Sequence, residues 1–409
     1  MGTGIIVHAA LVLPEGVRAD GTLCFDVGKI TTLVTGDYGL GELQQHATAL
    51  EPDNSVACWD LQGDYLIPGL IDMHVHGAGG HDVMDGTPAS MLEMSKNLLH
   101  AGTVAFLPTT LSGSPDCLSR VLANISTYKR VNSPTCSDPV AEVLGVHLEG
   151  PFLTPEFAGA QSRGKIWPLT RPGAPDYLRR LTQTFPDLIR ILTLAPERPD
   201  AAALTRCCLA TGIIPAVGHS GADYEVMLAA LGWGIQRVTH AFNAMPALHQ
   251  RNPGLLTAAL NDKATVIELI ADGIHIHPAV LELALKLKGP DRVCLVSDAT
   301  RAMGMPDGCY ELGGNTTTVY GGIPRLEDGT LAGSACSLLQ GIRNLVHKVH
   351  CPLATAVNTA SLNPARQLGV EQRLGSLTPG KDATFIRLSP QLELKQIWYQ
   401  GNLVRDQMS

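Results

Sequence analysis

His74 and His76 stand two residues apart at the end of an apolar run, LIPGLIDMHVH (residues 66–76). A strand places residues i and i+2 on the same face, so both imidazoles can look into one cavity. A strand-end histidine taken alone is more often structural than ligating. Here, however, several apolar runs end in the same kind of chemistry: Glu149 in EVLGVHLEG, His219 in IIPAVGHS, His240 in RVTHAFN, His275 in TVIELIADGIH and Asp298 in RVCLVSDA. Imidazole nitrogens and carboxylate oxygens form the donor set of Zn2+ and similar first-row divalent ions, bound at about 2.0–2.2 Å. No cysteine sits among these run ends, which sets aside a structural thiolate site. A catalytic ion can lower the pKa of water from about 15.7 to near 7. Asp298 could take a proton from that water and return it to a leaving group. Glu149, between the two histidine pairs in chain order, is placed to bridge two ions.

The elements that must position these groups can be read from the same runs. Eight of them are rich in Val, Ile and Leu; the others are TVAFLPTT, ending in Thr109-Thr110, and LIRILTLAPE, ending in Glu197. Strands buried on both faces read this way. They alternate with helical stretches such as 88–101, 200–212 and 222–233, so the pattern predicts βα units, parallel strands and an α/β fold of the (β/α)8 TIM-barrel type. Such barrels carry their active sites at the carboxyl ends of the strands. Residues 1–65 and 375–409 read instead as short strands with turns. They are expected to form one small β-sandwich together, around a barrel spanning 66–374.

A length of 409 residues accommodates both parts. The net charge of −8 argues against a general nucleic-acid or membrane surface, though one local arginine can still hold a phosphate. The cysteines form no CxxC, the N-terminus lacks a basic secretory pattern, and no run approaches the roughly 20 apolar residues of a membrane span. A cytoplasmic protein with reduced thiols is expected.

Taken together, PGLIDMHVHG, FLPTT, HLEGPF, TLAPE, GHS, THAFNAMPALHQRNPG, ADGIHIHP, SDATRAMGMPDGCYELGG and DGTLAGS, with SLNPA behind it, resemble the amidohydrolase superfamily. More narrowly they look like the N-acetylglucosamine-6-phosphate deacetylase family, and the likeness runs on to GSLTPGKDATF. HxH marks only the superfamily; HLEGPF, HAFNAM and LAGS together are far more specific. The resemblance implies Glu149, His219 and His240 as ligands of the principal metal and Asp298 as catalytic acid/base. His74 and His76 would hold a second ion with Glu149 and Asp298, leaving one-ion and two-ion states both open. Zn2+ is the first choice, with Fe2+, Mn2+ or Co2+ as alternatives.

The same resemblance implies that His275 contacts the sugar, that Asn243 and Ala244 offer groups to its phosphate, and that Arg251 binds that phosphate in the neighbouring subunit's site. That last role implies a homodimer. His249, beside Arg251, reads evenly as phosphate contact or surface loop. Gln161 stands where many relatives have a histidine that polarises the acetyl carbonyl. The implied reaction takes N-acetylglucosamine 6-phosphate to glucosamine 6-phosphate and acetate. Alternatives are the galactosamine isomer, another amide hydrolase of the superfamily, or a scaffold that has lost its chemistry. His81 and Asp85 read as loop residues, and Cys294 and Cys336 as small core or near-site fillers.

Overall fold

The computed structural model describes residues 2–36, 56–131 and 138–406. Its centre is a ring of eight strands: β1 (Leu70–Val75), β2 (Thr103–Thr110), β3 (Val146–Glu149), β4 (Ile189–Leu194), β5 (Ile214–Val217), β6 (Arg237–Val238), β7 (Val266–Ile270) and β8 (Val293–Val296). Each pairs in parallel with the next. A parallel bridge between Val75 and Ala299, just past β8, returns the ring to β1. A helix follows every strand, from α1 (Pro88–His100) after β1 to α8 (Leu338–Val349) after β8. The (β/α)8 barrel expected from the alternation of runs is what the chain forms.

Local chemistry explains the elements. All eight residues of β2 are buried, as a barrel strand between core and helices requires. In α1 the Thr87 hydroxyl accepts the Ser90 amide at 3.1 Å and Pro88 opens the first turn. Met91, Met94 and Leu98 then recur at helical spacing on the buried face.

The remaining N- and C-terminal strands share one sheet, joined where Tyr65–Pro68 pairs antiparallel with Phe385–Leu388. The sheet curls over its own core. Two strands separate those of Phe25 and Phe385 in the pairing order, yet their rings meet at 5.6 Å. Ile6, Leu11, Leu23, Leu66 and Trp398 fill the same core.

Between β8 and α8 the chain builds a further three-stranded antiparallel sheet: Gly308–Leu312, Asn315–Tyr320 and Ile323–Arg325. The Asn315 side chain donates to Ala160 O at 3.0 Å and Lys165 Nζ to Gly313 O at 2.6 Å, tying this sheet to the segment after β3. It stands over the carboxyl ends of the barrel strands. No described helix is long and apolar enough to cross a membrane.

Candidate active site

Three candidate residues sit on turns that leave the strands abruptly. β5 ends at Val217, β6 at Val238 and β8 at Val296. His219 (φ 49°), His240 (φ 27°) and Asp298 (φ 48°) follow in left-handed or near-left-handed backbone. For residues other than glycine this costs roughly 1–2 kcal/mol each, and such strain gathers at functional sites when the surroundings over-determine it. Backbone bonds hold these turns: Thr154 N donates to His219 O at 3.0 Å, Asn243 N to His240 O at 3.0 Å, and Ser334 N to Asp298 O at 2.8 Å. Gly333, at φ 58°, passes so close that a Cβ there would meet Asp298 O at 2.7 Å.

The turns bring donor atoms from five strands to one point. Glu149 Oε1 lies 3.1 Å from His219 Nε2, 3.0 Å from His240 Nε2 and 3.4 Å from His74 Nε2. The His219 and His240 Nε2 atoms are 3.0 Å apart, and those of His74 and His76 3.2 Å. Asp298 Oδ1 closes the other side at 3.2 Å from His76 and 3.4 Å from His74. Tetrahedral ligands at about 2.0–2.1 Å from a metal stand roughly 3.3 Å from one another, so these separations suit imidazoles sharing an ion. Two triads meet that condition, Glu149–His219–His240 and His74–His76–Glu149, with Glu149 common to both. The site fits a divalent metal.

The electrostatics agree. Burial works against charge on His76 and His240. Hydrogen bonds and charge from Asp298 and Glu149 override it and push both histidines up to about 9. Burial also opposes ionisation of Glu149 and Asp298, yet the imidazoles hold both carboxyls below their ordinary range. The centre is therefore a nest of carboxylates calling for positive charge. Its imidazole rings are fixed from behind: His219 Nδ1 is 2.8 Å from Phe157 O and His76 Nδ1 3.0 Å from Thr109 O. Both contacts leave Nε2 facing the centre.

Beneath lies a polar layer that the strand-end reading passed over. Glu268, inside β7, meets His74 Nδ1 at 3.2 Å and Arg237 of β6 at 3.1 Å. His147 also approaches His74 and Glu268 closely enough to count as a possible metal triad. Its nitrogens are already engaged with Met73 O (3.1 Å) and Thr193 Oγ1 (2.7 Å), and burial pushes it down to about 3. This group is support, not a further metal site. Glu197 braces the turns instead, accepting from Ser220 Oγ at 2.6 Å and Gly221 N at 2.7 Å.

Above the centre opens a cavity of 280 Å³, the scale of a small-molecule site. His76, Glu149, His219, His240, Asp298, His275, Asn243, Ala244 and Gln161 all line it. His74 does not; it is wholly buried one layer down. Gln161 donates to Glu149 Oε2 at 2.7 Å and accepts the Ser112 amide at 2.8 Å, so its amide is committed to orienting Glu149. His275 is held by Asp272 at 2.6 Å. Arg251 and His249 do not join this group. They lie exposed on the 246–252 loop, where His249 Nδ1 accepts the Arg251 amide at 3.3 Å. The one lysine or arginine lining the cavity among the described residues is Arg325, from the overhanging sheet, braced by Gly329 O at 2.7 Å. Of the other residues, His81 and Asp85 stand 4.0 Å apart and Asp85 pairs with Arg301, while Cys294 is buried in β8.

The chain matches the amidohydrolase family over residues 65–404. It belongs to that family. Within the amidohydrolases it is 37% identical over 402 residues to the N-acetylglucosamine-6-phosphate deacetylase of Bacillus subtilis (strain 168), covering 98% of this chain and 96% of that one. It is also 37% identical over 355 residues to an N-acetylgalactosamine-6-phosphate deacetylase of Escherichia coli O157:H7, covering 87% and 91%. Among solved structures, a mutant N-acetyl-D-glucosamine-6-phosphate deacetylase from Mycobacterium smegmatis, in complex with N-acetyl-D-glucosamine-6-phosphate, superposes with a TM-score of 0.87. It is 27% identical and covers 99% of this chain and all of that one.

Proposed function

We propose that this amidohydrolase removes the acetyl group from N-acetylglucosamine 6-phosphate, giving glucosamine 6-phosphate and acetate. The observation that carries this reading is the convergence of Glu149, His219, His240 and His76 beside Asp298 on the floor of one sugar-sized cavity, with His74 directly beneath. The relatives named above, deacetylases of 6-phosphorylated amino sugars, support it. Glu149, His219 and His240 would hold the principal ion; His74 and His76, with Glu149 and Asp298, a second. We take the ion to be Zn2+. A divalent ion bound there supplies Lewis-acid polarisation and acidifies water.

The remaining steps belong to the chain. Asp298, held as a carboxylate, accepts a proton from the attacking water and delivers it to the amine nitrogen as the C–N bond breaks. His275 contacts the sugar, while Gln161 keeps Glu149 in register. Asn243 and Ala244 present polar groups to the phosphate. Arg251, exposed and away from its own cavity, reaches the phosphate in a neighbouring subunit, which makes the working unit a homodimer. Arg325 adds positive charge from within the subunit. A cytoplasmic location suits a metabolite of this kind and thiols that are free throughout the described residues.

The deciding experiment follows acetate release from N-acetylglucosamine 6-phosphate, N-acetylgalactosamine 6-phosphate and unphosphorylated N-acetylglucosamine, before and after chelation. Fast turnover of the first alone, abolished by chelator and restored by Zn2+, is expected. Preference for the galactosamine isomer would correct the substrate and keep the chemistry. No turnover by metal-replete protein would overturn the reading.

A further inference from the structure

We infer that Glu268 is a positioning residue that holds His74 as its Nδ1–H tautomer and thereby aims the free Nε2 lone pair into the metal centre. This rests on the two-ion reading above. Glu268 is fully buried in β7, and each of its carboxylate oxygens has defined partners. Oε1 accepts from Arg237 Nε at 3.1 Å and stands in ion-pair contact with Nη2 at the same distance. Oε2 accepts the His240 amide at 3.2 Å and lies 3.2 Å from His74 Nδ1. A carboxylate clasped by a guanidinium offers only acceptors. The proton on the shared edge must then reside on His74 Nδ1, which leaves Nε2 bare.

Arg237 decides this outcome. A buried carboxyl without a cation beside it would stay protonated. A carboxylic acid could donate to Nδ1, and the Nε2–H tautomer would turn a hydrogen towards the centre, where it blocks a metal. Arg237 is itself wholly buried; its Nη1 donates to Gln367 Oε1 at 3.2 Å and its Nη2 to Met73 Sδ at 3.5 Å. The chain Gln367–Arg237–Glu268–His74 thus runs from below the barrel to the ligand shell. His147 packs against the His74 ring at 4.6 Å between centroids and limits its rotation. Glu268 meets His240 only at its backbone amide, so its effect on tautomer falls on the His74 ring and not on the imidazoles of the Glu149–His219–His240 triad.

The test uses metal-stripped protein titrated with Co2+ and followed by visible absorption, alongside 15N spectra of histidine-labelled protein in which His74 is assigned by its loss in His74→Asn. Wild type should take two equivalents and show His74 as Nδ1–H. Glu268→Gln should keep the first equivalent within a few-fold and weaken the second by about 10–100-fold, as loss of a carboxylate behind a ligating imidazole does. Its His74 signals should shift towards a mixture of tautomers. Should the stranded Arg237 charge prevent folding, Arg237→Met combined with Glu268→Gln removes that charge and should show the same selective loss. Unchanged binding of both equivalents, or an Nε2–H His74 in the wild type, overturns the inference. A wild type that takes a single equivalent overturns it together with the two-ion reading, while acetate release measured in parallel reports separately on the deacetylase reading.

Discussion

At Asp298 three demands meet: a left-handed backbone, a place beside two imidazoles, and a carboxylate kept charged in a buried setting. Exchanging it for Asn keeps the shape and removes the proposed proton carrier. Asp298→Asn should lower kcat by about 100- to 10,000-fold, with the fold intact by circular dichroism; near-full activity would refute the assigned role. The thiols make a contrasting case. Burial pushes Cys294 up to about 11 and Cys336 up to about 12, so both stay protonated at pH 8 and present no nucleophile. Iodoacetamide at pH 8 should modify exposed Cys309 and leave Cys294 untouched; mass mapping that finds Cys294 alkylated first would contradict this. Candidate donors were readable one by one because each closes an apolar run, where a polar residue stands out. Glu268 escaped because it lies inside its run, and Arg237 because it opens one, where a charge reads as the boundary of the hydrophobic pattern. The missed signal was the pair itself: opposite charges inside consecutive barrel strands, each needing the other.

Single elements carry constraints of their own, and β2 shows how a defect is put to use. Pro108 lacks an amide hydrogen and interrupts the ladder beside β1. Thr109 adds side-chain and carbonyl links there, its hydroxyl accepting the Val75 amide at 3.0 Å while its carbonyl meets His76 Nδ1 at 3.0 Å. Thr109→Val should strand the Val75 amide and destabilise the protein by about 1–3 kcal/mol, read by denaturant unfolding. The carbonyl that orients His76 remains, so kcat should fall much less than in Asp298→Asn; equal losses would mean that the hydroxyl serves chemistry. The eight strands and their helices were legible because long buried runs alternate with amphipathic stretches. The sheet over the cavity does not read as a unit, since its first strand falls within the motif that ends at Gly314 and residues 315–325 carry no motif. Its turns were nonetheless spelled out. Gly313-Gly314 and Gly321-Gly322 all adopt positive φ, the conformation that tight hairpin turns require.

For the whole molecule, the place where β1 meets β8 matters most. The ring closes there through the Val75–Ala299 bridge and a few amides: His76 and Gly77 donate to Ala299 O at 2.8 and 2.9 Å, and Asp298 to His74 O at 3.0 Å. Those same residues, His74, His76 and Asp298, face the centre from opposite sides of the join. An ion shared among them would therefore be a buckle on a hoop, linking chain segments that are remote in sequence and only thinly stitched by backbone. Ligands bound only by the folded state stabilise it, but a buckle acts locally before it acts globally. Hydrogen exchange at the amides of His76, Gly77 and Asp298 should speed up on chelation well before the amides shared by β4 and β5 respond; uniform loss of protection around the ring would exclude this. Starving such a protein of metal would then do more than silence it. The barrel would begin to gape along one line, and a protease or an aggregating neighbour would find its first purchase there.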